Sequence, residues 1–270
     1  MNLSDNFIFS QSALQSYQDC PRSFELRYVK DLRWPALKTE NALEFEESSL
    51  QGQEFHHLIH QHSTGVPTEA IEDIITEPVM KKWWDNYVTW QTENLPHQRY
   101  SELKLTAPLS ETRVMAKYDV VAQMNDESLT IVDWKTGRPK KREWLTRRLQ
   151  STVYPYVLWR AGNWLNRGKK LAAEHIRLIY WFAEDGSTIE FQLDAKLLQE
   201  NEQQLTETIS EINSRLDFPQ TENEKQCKFC VYRSLCERGE LAGNFADLED
   251  DDDVAIGVNL HLDEVSEIVF

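Results

Sequence analysis

Positive charge is scarce in this chain of 270 residues: 29 Lys and Arg stand against 45 Asp and Glu, a formal net charge of -16. Affinity for a phosphate backbone rests on Lys and Arg, so the whole-chain balance argues against a nucleic-acid partner. Long apolar runs are also missing. The longest, Leu178 to Ala183, is far too short to cross a bilayer, and the opening MNLSDNFIFS lacks the basic region of a secretory signal. A cytoplasmic protein with no membrane partner is the expectation. Cysteine is sparse, four residues in all, and in a reducing compartment two disulfides are disfavoured. No Gly-x4-Gly-Lys-Ser/Thr segment is present, so any strand separation must come from a helicase elsewhere. What is there suffices for a substantial core: 40% hydrophobic and 11% aromatic residues, with no internal repeat before the last thirty residues.

The charge is unevenly spread. From Glu237 to the end there are eleven acidic residues and one basic one, leaving -6 for the rest. Residues 240–270 are read as an acidic tail in which Glu249 to Asp253 is unbroken acid. It is either a solvated linker with an edge strand or a competitor for a basic surface. Conversely, Arg138 to Arg148 holds six cations, Arg138, Lys140, Lys141, Arg142, Arg147 and Arg148, against Glu143 alone. That stretch is either a solvated helix face or the path of a phosphate backbone.

The basic stretch follows the most informative part of the chain. Two apolar runs, Val120 to Met124 and Leu129 to Val132, flank Asn125-Asp126-Glu127-Ser128 and predict a β-hairpin. Asp119 and Asp133 border these runs. A carboxylate beside a core costs free energy unless a cation or hydrogen bonds take it up, so the two are candidates to share a hard divalent cation. Alternation along a strand puts Lys135 on the face of Asp133, where an ammonium suits metal-assisted phosphodiester hydrolysis. A surface ion pair is the alternative for an isolated Asp-x-Lys. Gln150 and Tyr154 follow at helical spacing.

Elsewhere, Ser10 is a candidate N-cap for a helix through Ala13, Leu14 and Tyr17, and Pro21 suits the start of a second. Residues 36–51 read as a loop or frayed helix. His56, His57, His60 and His62 cluster in one segment. Val79, Trp83, Tyr87 and Trp90 fall at helical spacing, as core or as a stacking platform for single strands. Residues 101–109 alternate as a strand opened by Glu102, which pairs with Lys104 or a neighbour, or stands near the site. Residues 176–182 and 189–193 are two further strands, and Leu198, Leu205, Ile209, Ile212 and Leu216 mark a long helix.

Taken in order, Asp119, Asp133-Trp134-Lys135-Thr136-Gly137 and Gln150-x-x-x-Tyr154 resemble the PD-(D/E)xK nucleases, and the Gln-x-x-x-Tyr element resembles their RecB-type branch. Tyr118 stands where the motif has Pro. The resemblance implies a restriction-endonuclease-like α/β core, a small mixed sheet flanked by helices. It implies Mg²⁺ or Mn²⁺ held by Asp119, Asp133 and the Trp134 carbonyl, Lys135 assisting hydrolysis, and Gln150 and Tyr154 supporting the site or the DNA. Gly52-x-x-x-His56 is similar to the element that supplies a histidine metal ligand in that branch, which leaves His57, His60 and His62 on the helix surface.

Cys20, Cys227, Cys230 and Cys236 form a complete ligand set for a soft metal or a cluster, with buried single thiols as the alternative. Zn²⁺ and a 4Fe–4S cluster both fit. Ser-x-Ser-x-Leu-x-x-Tyr-x-x-Cys-Pro-x-x-Phe from Ser10, and a lone Cys followed far away by Cys-x2-Cys-x5-Cys, resemble the AddB-like iron–sulfur nucleases. That resemblance favours 4Fe–4S, clasping the N- and C-terminal segments of one nuclease domain, residues 1–239. The expected function is a metal-dependent deoxyribonuclease, an exonuclease on single-stranded or unwound DNA ends, with a helicase or recombination partner. The alternative is a non-catalytic module that holds DNA for a helicase or integrase.

Overall fold

The hairpin expected between Asp119 and Asp133 forms, and it lies at the centre of a mixed six-stranded sheet. The computed structural model describes residues 3–4, 6–32 and 40–239. The acidic tail and part of the segment 36–51, expected as a loop or frayed helix, lie outside them, and from Glu40 onward the chain is helical. The strands are β1 (Ile8–Ser10), β2 (Arg99–Leu109), β3 (Thr112–Gln123), β4 (Leu129–Lys135), β5 (Ile176–Phe182) and β6 (Thr188–Gln192). The helices are α1 (Gln11–Asp19), α2 (Pro21–Phe24), α3 (Glu40–Ser63), α4 (Thr68–Glu72), α5 (Pro78–Asn94), α6 (Arg142–Arg147), α7 (Leu149–Ala161), α8 (Ala195–Ser214) and α9 (Glu224–Cys227). The described residues fall into two compact units: those of 3–14 with 51–215, and those of 15–50 with 216–239.

The larger unit holds the sheet. One edge of β3 pairs with antiparallel β2 along nearly its whole length. The other edge pairs first with β1, parallel at Arg113–Met115, and then with β4, antiparallel at Val120–Gln123. Residues 116–119 fall between these two pairings, and Asp119 closes that interval. β4 continues to parallel β5, and β5 to antiparallel β6. β4 is buried from Leu129 through Trp134, as expected of a central strand covered on both faces.

The covering is helical on each side. Phe55, Leu58 and Ile59 of α3, Ile71 of α4, and Met80, Trp83, Trp84 and Tyr87 of α5 pack on Val120, Val132, Trp134 and Trp181. Each fully buried Trp here contributes about 4 kcal/mol at ~25 cal/mol per Å². Trp83, Tyr87 and Trp90 of the expected α5 stripe pack on this core, joined by Met80 and Trp84, while Val79 is 47% exposed. Pro78 starts the helix, and of the two residues that follow it Met80 faces the core and Val79 does not. On the opposite face α7 packs on β2 and β3 and α8 packs on α7. Asp194 caps α8, its carboxylate accepting from the Leu197 N–H at 2.7 Å. That helix ends at Ser214, which leaves Leu216 outside it.

Strand alternation breaks once. The Tyr118 hydroxyl donates to the Tyr154 carbonyl on α7 at 2.9 Å, whereas Val120, two residues on, packs with α3 and α5. Opposite the break on β2, Glu102 has φ +56 and lies between the pairs Ser101↔Val120 and Leu103↔Tyr118. A non-glycine residue in the left-handed region inside a strand carries strain of about 1 kcal/mol or more. Of the partners expected for Glu102, Lys104 or a neighbour, it is a neighbour, Lys117, that pairs with it, at 2.5 Å. Lys117 lies across the ladder on β3.

In the smaller unit Cys20 is the N-cap residue of α2 with Pro21 in its first turn, and the helix continues as a π-turn over Glu25–Val29. Tyr17, Phe24 and Phe218 pack ring on ring, with centroids 5.6 Å apart for Tyr17–Phe24 and 6.1 Å for Phe24–Phe218. The Arg22 N–H donates to the Pro219 carbonyl at 3.0 Å, and the Tyr232 hydroxyl to the Leu32 carbonyl at 2.7 Å. The buried Glu25 carboxylate is paired by Arg22 and, at 3.0 Å, by Lys30.

Candidate active site

His56, Asp119, Trp134, Lys135, Asp133, Gln150 and Tyr154 converge at the end of β4 within the larger unit. Asp119 closes the unpaired interval of β3, and one of its oxygens accepts from the Trp134 N–H at 2.9 Å. Its other oxygen faces His56 Nδ1 at 3.3 Å, while His56 Nε2 lies 3.0 Å from the Trp134 carbonyl. α3 reaches this close because residue 52 is glycine. A Cβ there would meet Thr136 Oγ1 at 3.0 Å, one turn of helix before His56.

Asp133 is a buried acid on the α7 side of the sheet. Lys135 lies 2.7 Å from its Oδ2, although that oxygen accepts no well-aligned hydrogen bond among the described residues. The Gln150 amide joins the two: its NH₂ donates to Asp133 Oδ1 and its oxygen accepts from Lys135 Nζ at 2.9 Å. Only this orientation of the amide satisfies both an anion and a cation. Tyr154, one helical turn on, packs against Tyr118 with ring centroids 5.0 Å apart.

Burial and neighbouring charge divide the acids. Burial pushes Asp133 up to about 6 against the pull of Lys135, and the charge of Asp119 adds to the rise. Burial would raise Asp119 too, but the His56 charge beside it brings it below the ordinary carboxylate range. Burial works against a charged His56, yet Asp119 outweighs it and lifts the imidazole to about 9. The chain itself thus neutralises its two carboxylates.

A hard cation fits these donors. An imidazole, two carboxylates and a carbonyl are suitable ligands, and cis positions on an octahedral ion with ~2.1 Å bonds stand about 3 Å apart. His56 meets the Trp134 carbonyl through Nε2 at 3.0 Å and Asp119 through Nδ1 at 3.3 Å, so with either nitrogen on the ion only one of these two spacings serves as a cis pair. Among the described residues no three His, Cys, Asp or Glu side chains form a ready cage. Asp133 is turned to Lys135 and Gln150, while His56 and Asp119 hold each other.

Residues 8–237 match the family model of the PD-(D/E)XK nuclease superfamily. The chain belongs to that superfamily. Its α/β architecture, a mixed open sheet flanked by helices, is consistent with the restriction-endonuclease-like fold. A crystal structure of a proposed exonuclease from Eubacterium rectale is similar in fold, with TM-score 0.50 at 11% identity over 80% of this chain and 85% of that one. The crystal structure of SSO0001 aligns at TM-score 0.40 and 13% identity over 87% of each chain. No curated protein matches the chain in sequence.

In this PD-(D/E)XK chain the sequence pattern left out Tyr180. It stands beside Asp133 in the β4–β5 register, its ring lies under Lys135 at 5.4 Å, and its hydroxyl meets Ser151 at 2.7 Å. No local signal could have found it, because a parallel register is set by crossovers rather than by spacing. His60 and His62 are not bare surface residues either. His60 bonds Ser101 at 2.8 Å, and His62 bonds Tyr87 at 3.0 Å and Thr68 at 3.2 Å. His57 makes a local bond to Gln61 at 3.1 Å.

The basic stretch after β4 lies partly on α6. Arg148 and Lys140 stand over the Trp144 ring at 5.2 and 6.0 Å, and Arg142 covers Phe191 at 4.2 Å. Among the described residues no helix is long and apolar enough to cross a membrane.

The four cysteines also come together, within the smaller unit. Cys20, Cys227, Cys230 and Cys236 line one pocket with Arg233, and none is in a disulfide. Burial raises the thiol pKa of Cys227, Cys230 and Cys236, that of Cys230 to about 11, and each is raised further by other cysteines of the set. Cys230 Sγ accepts from the Tyr232 N–H at 3.4 Å. Soft donors that repel one another as thiolates suit a soft cation or cluster, which would draw off their protons.

Proposed function

We propose that this chain is a metal-dependent deoxyribonuclease, an exonuclease acting on single-stranded or unwound DNA ends, with residues 1–239 as the nuclease domain. The observation that carries the proposal is the Gln150 amide bridging Asp133 and Lys135, beside the His56–Asp119–Trp134 carbonyl group, in a PD-(D/E)XK chain. DNA as substrate and the exonuclease mode rest on the resemblance to RecB-type nucleases.

His56, Asp119, Asp133 and the Trp134 carbonyl would hold Mg²⁺ or Mn²⁺. When bound, that ion supplies a more acidic water and charge stabilisation at the phosphate. Lys135, 32% exposed and turned between Asp133 and Gln150, orients the attacking water and offsets charge on the phosphate. Gln150 fixes the direction of both Asp133 and Lys135. Tyr154 walls the site, its hydroxyl kept protonated by burial and by the charges of Asp133 and Asp119. The cysteines would hold a 4Fe–4S cluster as a structural clasp, with Zn²⁺ as the other group that fits.

Cleavage of end-labelled single and double strands with Mg²⁺, Mn²⁺ or a chelator tests the activity, after anaerobic purification and an ultraviolet–visible spectrum. Metal-dependent release of nucleotides from ends, with broad absorbance and bound iron, is the expected outcome. Strand binding with no cleavage under any metal would leave the non-catalytic DNA-holding module. One zinc and no iron would replace the cluster without touching the nuclease reading.

A further inference from the structure

α7 begins at the catalytic edge with Gln150 and runs into a short 3-10 turn, Gly162–Asn166, that carries Trp164. Trp164 is 52% exposed. Of the nine tryptophans in the chain, those of α5, β4 and β5 are core, so this one has no packing duty comparable to theirs. Its ring stands edge-on to Tyr100 of β2, with centroids 5.3 Å apart.

The backbone then turns back. Arg167 and Gly168 adopt left-handed φ of +53 and +78, and the Gly168 N–H donates to the Asn163 carbonyl at 2.8 Å. The Leu171 N–H donates to the Asn163 side chain at 3.1 Å. Arg167, Lys169 and Lys170 lie on this fold-back, three to six residues after the exposed indole. All three are exposed, and among the described residues none has an ion pair to an acid. From Trp159 to Lys170 there are four cations and no acid. Only Arg160 of these is paired, to Glu202 at 3.0 Å. A net-negative chain that keeps an acid-free segment around an exposed indole, backed by the half-buried Tyr100, offers the two things a single strand binds, cations for phosphates and a π-face for unstacked bases.

We propose that Trp164 and Tyr100, with Arg167, Lys169 and Lys170, form a holding site for single-stranded nucleic acid, about 20 Å along α7 from Gln150 by helical rise. The proposal rests on the nuclease reading for its choice of polyanion. A strand long enough to reach from the carboxylates to Trp164 is gripped at both places. A duplex keeps its bases stacked on one another, so it gains nothing from the indole.

Binding of fluorescent oligothymidylate to the full chain in chelator tests this. Trp164→Ala should weaken binding of a long strand about 5- to 100-fold, Trp164→Phe should restore most of it, and Lys169→Ala with Lys170→Ala should flatten the salt dependence by roughly 0.7 per lost phosphate contact. The gain in affinity from dinucleotide to long strand should shrink in the same variants, while duplex binding should not respond to Trp164→Ala. Unchanged affinity for long strands, equal loss on duplex, or equally tight binding of polyglutamate would overturn the site. So would an unmodified chain that binds no single strand. Cleavage retained by Asp133→Ala would overturn the nuclease reading alone, because the affinity measurements need no metal and no cleavage.

Discussion

The carboxylate site and the cysteine pocket both gather groups that repel one another, and each handles the repulsion differently. At the carboxylates every charge has its own partner in the chain: His56 for Asp119, Lys135 and Gln150 for Asp133. In the pocket the thiols raise one another, and Arg22 and Arg238 oppose this only in part. The first site answers its charges with partners in the chain. In the second, burial and mutual charge favour the protonated thiols of Cys227, Cys230 and Cys236, and on the proposed reading a bound soft cation would draw off those protons and stabilise the pocket.

The sharpest way to break this comparison is to remove one metal at a time. Cys20→Ser or Cys230→Ser should lower stability by several kcal/mol and abolish the broad absorbance, since a structural metal contributes folding free energy directly. Chelating the divalent ion should barely move the melting temperature. Anaerobic thermal melts compare the two. Cysteine variants that melt like the unmodified chain would erase the contrast.

Gln150→Ala comes next in size. Freed of their common partner, Asp133 and Lys135 lose orientation, and cleavage should fall about 10- to 100-fold with strand affinity little changed. Single-turnover rates measure it. A loss confined to affinity would place Gln150 on the DNA rather than behind the acids.

Asp133→Asn should raise the stability of the chelated protein at neutral pH by about 1–3 kcal/mol, reasoning from the linkage of ~1.4 kcal/mol per pKa unit. The sign follows from its raised value of about 6. Between the unfolded carboxylate value and about 6 the folded chain binds the extra proton, so the unmodified protein gains stability as pH falls through 6. The Asn variant should lose that gain. His56 acts in the opposite range: raised to about 9, it contributes stability that is full below about 6.5 and lost as pH rises through 9. Chelator-treated melts from pH 4 to 10 read both slopes. A flat profile would mean that the two charges are not held as described.

The smallest effect concerns residues 246–270. Their removal should tighten single-strand binding a few-fold at low salt, the difference vanishing as salt rises, since tail carboxylates oppose a phosphate backbone through a screened field. Equal affinities at low ionic strength would leave the tail as a linker or docking segment.

Much of the carboxylate site was legible in sequence because its parts are local. The hairpin turn, the two-residue spacing of Asp133 and Lys135, and the helical spacing of Gln150 and Tyr154 each follow a backbone period. Gly52 and His56 share one helix. What was not legible depends on pairing at a distance. Tyr180 reaches Asp133 through a parallel register, Glu102 finds Lys117 across the ladder, and its left-handed backbone marks a break in alternation that no spacing announces. Of the expected α5 stripe only Val79 lies off the core, its place in the first turn being taken by Met80. The four cysteines could be listed from sequence, but their convergence on one pocket needed α2 and the segment after Pro219 to meet.

The central claim is that Asp133 and Lys135 are the catalytic pair, and it is tested most directly by Asp133→Ala and Lys135→Ala on an end-labelled single strand with Mn²⁺. Affinity is measured alongside in chelator. Both variants should keep the fold and bind the strand, and both should lose about a thousand-fold or more in cleavage. Undiminished cleavage by both, in preparations free of other nucleases, would contradict it.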